Sequence, residues 1–280
     1  MTMNIGIIGA GNMGEAIAGA LIRSETAAVG NVILSDVDER RLEHLHATYG
    51  VPTTDDNAQL FSTSRVVVLA VKPQQMAAVL QGLTARPGYR IDDRKLVISI
   101  AAGVRIRQLE ETLYGPLDEM ARARLPIVRV MPNTPALVLE GMSGMSPNRF
   151  ATEMDMQQAR HIFEAMGAVM AFEEHQMDAV TAMSGSGPAY LFYLAEAMIA
   201  AGNRMGLSEN ESTALTLGTL KGAVRLMEER REPPESLRRK VTSPGGTTAA
   251  ATGVLDKGNV QKTIVEAILA ARQRSKELSK

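Results

Sequence analysis

The stretch Asn4-Ile-Gly-Ile-Ile-Gly-Ala-Gly-Asn-Met-Gly14 restricts this chain more than any other part of it. A short apolar run that suits a buried strand passes directly into Gly9, Gly11 and Gly14, the G-x-G-x-x-G spacing. Beyond it, Ile17, Leu21 and Ile22 fall on one face of a helix. Each glycine meets a separate demand: Gly9 allows a tight turn, Gly11 lets the backbone approach a pyrophosphate, and Gly14 lets the helix lie close on the strand. The helix beginning near Asn12 then aims unpaired N–H groups and the positive end of its dipole at the phosphates. Such a glycine triplet also occurs in structural turns. The strand before it and the helix after it are what make Gly9-Ala10-Gly11-Asn12-Met13-Gly14 a dinucleotide site.

The same alternation continues. Val32 to Ser35 reads as a second strand, with Ser35 and Asp36 about 20 residues past the glycines, where an acid meets a nucleotide ribose. Asp38 suits the N-cap of the next helix, which carries Leu42, Leu45 and Tyr49 on one face and stops at Gly50. Arg65 to Val71 is a continuous apolar run, the mark of a strand covered on both faces, and Lys72-Pro73 opens a helix after it. Leu96 to Ile100 and Ile127 to Met131 are further strands, the former turning at Ala101-Ala102-Gly103. This order implies a Rossmann-type, doubly wound parallel sheet whose ligands lie beyond the carboxyl ends of the strands.

From about Asp178 the strands disappear. Helices are expected over Pro188 to Met205, after the break Ser184-Gly-Ser-Gly187, then from the Ser208/Glu211 capping box to about Arg231, and finally over Asn259 to Leu278. The α/β reading is therefore of two domains: 1–172 binds a dinucleotide, and 173–280 is all-helical. The apolar surface of the second exceeds what a bundle of ~110 residues hides alone, so a homo-oligomer is expected. A net charge of -1 gives no support for a nucleic-acid partner, and without cysteine there is no thiolate nucleophile, disulfide or Cys-bound metal. The first strand leaves no room for a signal peptide and no apolar run reaches the length of a membrane span, so the expectation is a cytoplasmic enzyme needing neither membrane nor metal.

The missing catalytic side chains narrow the reaction. No lysine lies between Lys95 and Lys221, where an alcohol or hydroxyacid dehydrogenase would carry its proton-transferring lysine. His44, His46, His161 and His175 sit at positions where histidine is more often a surface or capping residue. A hydride acceptor needing little acid–base help fits, and an iminium carbon qualifies because its nitrogen already carries the charge that draws the hydride. In Val241 to Ala251, Pro244 sets a turn, Gly245 and Gly246 remove side chains, and a helix starts near Thr248. Free backbone N–H groups and the hydroxyls of Ser243, Thr247 and Thr248 then form a nest able to hold a small carboxylate. A well-capped helix after a Pro-Gly turn accounts for the same residues; the three hydroxyls and the absence of charge favour a site.

Gly9 to Gly14, Ala70-Val-Lys-Pro-Gln74, Val130-Met-Pro-Asn-Thr-Pro135, Asp178-Ala-Val-Thr with Ser184-Gly-Ser-Gly-Pro-Ala-Tyr190, and Val241-Thr-Ser-Pro-Gly-Gly-Thr-Thr248 occur in an order that closely resembles the pyrroline-5-carboxylate reductases. The resemblance covers essentially the whole chain. It implies reduction of L-1-pyrroline-5-carboxylate to L-proline, the last step of proline biosynthesis, by NADH or NADPH. It further implies a helical domain intertwined with a partner's, an active site where the two domain types meet, and dimers often gathered into decamers. Ala70, Val71, Lys72, Pro73, Asn57 and Ala102 are assigned by it to the cofactor. Ser243, Gly246, Thr247 and Thr248 meet the substrate carboxylate, with Thr248 also reaching the ring nitrogen. Glu174 matches a carboxylate near the substrate, with a helix-start acid as the plain alternative, and Asn133 and Ser184 become neighbours of the nicotinamide or packing residues. Lys72 equally suits a solvated strand end.

Asp36 stands where NADPH-preferring relatives tend to have a small polar or basic residue, which points to NADH unless Arg40 and Arg41 compensate. Lys240 departs from the neutral amide of several relatives. An imine reductase of broader scope, a hydroxyacid dehydrogenase of similar plan and a non-catalytic nucleotide-binding protein are the alternatives.

Overall fold

The computed structural model describes residues 4–279. Eight strands form one sheet: β1 (Ile5–Ile8), β2 (Val32–Ser35), β3 (Thr53–Thr54), β4 (Val66–Leu69), β5 (Leu96–Ser99), β6 (Ile127–Met131), β7 (Gly141–Pro147) and β8 (Gly167–Ala171), in the order β3-β2-β1-β4-β5-β6-β7-β8. The apolar runs become the central strands because helices cover both faces; every residue of β1, β4 and β5 is buried. Along β4 the side chains alternate: Val66 and Val68 enter one core with Ile7, Leu21 and Phe163, while Val67 and Leu69 enter the other with Leu60, Leu80 and Leu113.

From β3 to β6 the sheet is parallel, as the alternation predicts. At β7 it is not: this strand runs antiparallel to β6, and β8 pairs parallel with β7. The connection 132–140 is too short for a crossover, which takes about a dozen residues, so the chain doubles back. The Gly141-Met-Ser-Gly-Met-Ser-Pro sequence of β7 also lacks the apolar run that marks its neighbours.

Helices α1 (Asn12–Arg23), α2 (Glu39–Tyr49), α3 (Asn57–Thr63), α4 (Pro73–Thr84), α5 (Ile106–Leu113), α6 (Glu119–Ala123), α7 (Glu153–Glu164) and α8 (Met177–Val180) accompany the strands, and α8 widens into a π-helical turn over Thr181–Gly185. Asp38 caps α2 by accepting the Arg40 N–H, and Gly50 ends it at φ 70°. Lys95 is turned beneath the carboxyl end of α3, where its ammonium donates to the carbonyls of Phe61 and Ser64, and burial pushes its pKa down to about 8.

The chain forms two compact units, one reaching Ser186 and taking in the last helix from Ala271, the other Gly187–Ala270. The second holds α9 (Gly187–Arg204), α10 (Glu209–Arg230), α11 (Pro234–Lys240), α12 (Thr247–Lys257) and the start of α13 (Val260–Leu278). Helices α9 and α10 close on each other at Gly202, where a Cβ would stand 2.4 Å from Ser212 Oγ. Ser208 and Glu211 form the expected capping box. Among the described residues α11 and α12 bury none, and Leu191, Phe192, Leu215 and Leu217 are exposed. Among the described residues no helix is long and apolar enough to cross a membrane.

Candidate active site

The strand order reverses direction between β1 and β4, so the loops beyond their carboxyl ends part. A crevice of about 930 Å³ opens there, lined by Gly9 and Gly11, Ser35 and Asp36, Asn57, and Ala70, Val71 and Lys72. The glycines divide the work by geometry. Gly9 has φ +105°, and a Cβ on it would lie 2.7 Å from the carbonyl carbon of Ala70. On Gly14 a Cβ would lie 2.0 Å from Gly9 O, so α1 rests directly on the turn. A Cβ on Gly11 would meet nothing within 4 Å. Gly11 is also the N-cap of α1 and offers no side-chain cap, leaving the first N–H groups of the helix directed at this space.

Asp36 braces the glycine loop. Its Oδ2 accepts the Ala10 N–H at 2.7 Å and its Oδ1 the Asp38 N–H at 3.1 Å. Arg41 is turned to the same loop, donating from Nε and Nη2 to Ala10 O at 3.0 and 2.8 Å and pairing with Glu15 at 2.6 Å. Ser35 Oγ donates to Asn57 Oδ1 at 2.7 Å, which ties the end of β2 to the start of α3. Lys72 is the extended N-cap of α4, with Pro73 next. Ala10 in the glycine loop, Asn12, Met13 and Gly14 in the first turn of α1 and Pro73 at the start of α4 do not line the crevice, and Ala102 lies past β5, also outside the lining.

Several lining residues were not anticipated. Val37, Gln75 and Arg86 sit on the crevice, and Arg86 pairs with Asp56 at 2.8 Å. The Gln59 N–H, with that of Ala58 and the Arg86 guanidinium, holds the Asp56 carboxyl below its ordinary value. Val37 had a signal in the sequence, since it directly follows Asp36. Arg86 had none, because the length of α4 is what brings it to the rim.

Beyond β6, Asn133 and Ser184 are brought together. Asn133 Nδ2 donates to Ser184 Oγ at 3.3 Å, its Oδ1 accepts the Met142 N–H at 2.9 Å, and Ser184 Oγ donates to Met142 O at 3.0 Å. The π-helical turn makes this possible by displacing Ser184 from a regular helical path. Glu174 is held elsewhere: its Oε1 accepts from Arg129 Nη1 at 3.0 Å and from the Ile106 N–H at 3.2 Å.

The hydroxyl-rich turn is built as its residues dictate. Gly245 takes φ +71° after Pro244, and Gly246 N–H closes the turn on Ser243 O at 3.0 Å. A Cβ on Gly246 would meet Ser243 Oγ at 2.7 Å, so a side chain there would displace that hydroxyl. Gly246 caps α12 without a side-chain hydrogen bond, so the first N–H groups of the helix are taken by no capping side chain. Ser243 lies in the turn, and Thr247 and Thr248 are the first two residues of the same helix. Lys240, before the turn, is neutralised by Glu232, whose two oxygens it meets at 2.7 and 2.6 Å. Among the described residues no group of His, Asp or Glu is arranged to hold a metal ion.

Residues 174–278 match the family model described as pyrroline-5-carboxylate reductase dimerisation, and residues 4–103 the model described as NADP oxidoreductase, coenzyme F420-dependent. A pyrroline-5-carboxylate reductase of Synechocystis is 40% identical over 280 residues, with 100% of both chains covered. Among solved structures, the pyrroline-5-carboxylate reductase of Coxiella burnetii superposes with a TM-score of 0.88 at 37% identity, covering 100% of each chain. The Plasmodium falciparum pyrroline carboxylate reductase, solved with NADP bound, has a TM-score of 0.86 at 31% identity and covers 99% of this chain and 98% of its own.

Proposed function

The chain belongs to the pyrroline-5-carboxylate reductase family, and on that premise we propose that it reduces L-1-pyrroline-5-carboxylate to L-proline with a nicotinamide dinucleotide. The observation that carries the reading is the pairing of two ready-made anion sites in one chain. One is the open space at Gly11 before the uncapped start of α1; the other is the hydroxyl-rich turn before the uncapped start of α12.

A bound reduced nicotinamide supplies the hydride. Gly9 to Gly14 receive the pyrophosphate, Ser35, Asp36 and Asn57 the ribose side, and Ala70 to Pro73 with Ala102 the remainder of the cofactor. Ser243 and the N–H groups from Gly246 to Thr248 hold the substrate carboxylate. Thr248 Oγ1 accepts a hydrogen bond from the protonated ring nitrogen, which fixes the iminium carbon in place. Asn133 and Ser184 order the nicotinamide end through their shared hydrogen bonds. The acceptor already carries its positive charge, so orientation and exclusion of water supply most of the rate and no general acid is required.

NADH is the preferred reductant in this reading. Asp36 would repel a 2′-phosphate, and Arg41, one of the two cations that follow it in the sequence, is occupied by Ala10 O and Glu15. Kinetics with both nucleotides test this, and a clear preference for NADPH overturns it. The exposed apolar residues of α9 and α10 are covered by a second copy, and dimers gather into a decamer; sedimentation of the purified protein reads both. A hydroxyacid dehydrogenase is disfavoured by the absent lysine.

The decisive experiment is pyrroline-dependent loss of nicotinamide absorbance, run on wild type and Thr248→Ala. Turnover should fall about tenfold or more in the variant, the effect of losing one hydrogen bond to a charged group. Dinucleotide affinity should stay near wild type. Undiminished turnover in Thr248→Ala removes the role given to that hydroxyl, and no activity in wild type removes the function.

A further inference from the structure

Two carboxylates one helical turn apart, Glu174 and Asp178, have no part in hydride transfer as derived above, yet both are committed to specific partners. Glu174 joins the buried Arg129 of β6 to the Ile106 N–H at the start of α5. Asp178, itself 7% exposed, accepts from Ser275 Oγ at 2.7 Å through Oδ1 and faces Arg105 Nη2 at 3.9 Å through Oδ2. Ser275 is 4% exposed and lies in the last turns of α13; Ser279 Oγ donates to its carbonyl at 2.8 Å, tightening the helix end. The loop after β5 is therefore enclosed. Gly103 stands in it at φ +76°, and a Cβ there would meet Leu278 Cβ at 3.2 Å and Leu278 O at 3.3 Å. Ile100 N–H bonds Leu69 O at 3.1 Å, so this loop adjoins the end of β4, whose next residues line the crevice.

We infer that Asp178 and Ser275 latch the end of α13 over the Ala101-Ala102-Gly103 loop, and that the latch sets the affinity for the dinucleotide. Both are positioning residues; neither touches a reacting atom. A loop carrying a glycine at positive φ has many conformations open to it when free, and binding to a loop already held in one of them sacrifices less entropy. The end of a helix that begins in the other compact unit thus becomes part of the support for the cofactor side of the site. The inference rests on the proposed reading in one respect, that Ala102 adjoins the cofactor.

The test is Ser275→Ala, which removes one hydroxyl and no bulk. Dissociation constants for NADH and NADPH are measured by fluorescence without substrate, alongside the Michaelis constant for pyrroline-5-carboxylate, the melting temperature and the sedimentation coefficient. The expected result is a loss of affinity for the tighter-binding dinucleotide of about tenfold, within the usual range of coupling between sites. The constant for pyrroline-5-carboxylate should move by less than about twofold, and the assembly should be unchanged. If Ser275→Ala does not fold, Asp178→Asn is read by the same criteria. Unchanged dinucleotide affinity overturns the latch, as does an equal change in both constants accompanied only by a lower melting temperature. A wild type that binds dinucleotide but ignores pyrroline-5-carboxylate refutes the proposed reaction instead, and leaves the latch to be judged on dinucleotide affinity.

Discussion

Replacing Gly11 by alanine separates what this position does for folding from what it does for binding. Gly11 has φ -70° and ψ -173°, a conformation any residue adopts. Its added methyl would meet nothing within 4 Å. The loss of glycine's N-cap preference works against the variant, and its reduced unfolded-state entropy works for it; each is within about 1 kcal/mol. The net change in melting temperature should therefore stay within roughly 3 °C. Binding is different. A methyl at the mouth of α1 holds a pyrophosphate off the helix N–H groups, and losing two charge-assisted hydrogen bonds costs about 3–5 kcal/mol. That is roughly a hundredfold to several-thousandfold in dissociation constant. Gly14→Ala is the contrasting variant, because its Cβ would collide with Gly9 O at 2.0 Å and must displace α1, lowering both stability and affinity. Calorimetric titration with NADH and NADPH, beside thermal unfolding of each variant, reads all four outcomes. Near-wild-type affinity in Gly11→Ala would show that the open space is not the pyrophosphate seat, and a large loss of stability would show that it is not open.

Asp36→Ser should move the preference toward NADPH. At a solvated rim a unit charge pair about 4 Å apart is worth about 1 kcal/mol, and a 2′-phosphate carries nearly two charges, so the ratio of kcat/KM values should shift about thirtyfold. An unchanged ratio would deny Asp36 that role. Asp155 is desolvated by burial, which would raise its pKa, but hydrogen bonds from Arg94 and Thr152 outweigh this and hold it below 3.8. A depressed carboxyl stabilises the fold above its unfolded pKa, and the contribution is lost as the pH falls through the folded value. Asp155→Asn should therefore unfold roughly 5 °C below wild type at neutral pH, corresponding to about 2 kcal/mol. The gap should narrow below pH 3.8. A gap that holds constant into acid would contradict the assignment.

Local pattern by itself determined the alternation of strands and helices. It marked β2 and β6 to the residue, together with the capping of α2 at Asp38 and Gly50 and of α10 at Ser208. Those features depend on contacts within a few residues, so composition and spacing report them. Strand β7 was not legible, because its pairing follows from the short connection after β6 and its glycines and serines carry no apolar period. Only the tertiary structure decided that Arg41 turns inward to Ala10 O, that Asp36 braces the glycine loop, and that Ser184 meets Asn133. The same holds for Glu174, which could be placed near the substrate by resemblance alone and is held in the fold by Arg129 and Ile106. In each case the partner lies tens of residues away, and a polar or charged side chain takes its direction from the partner the fold supplies. The opening glycines show the division most plainly. Their spacing announces a turn, a close approach and a packed helix, while the finding that Gly14 meets backbone and Gly11 meets open space needs β1, β4 and α1 assembled in three dimensions.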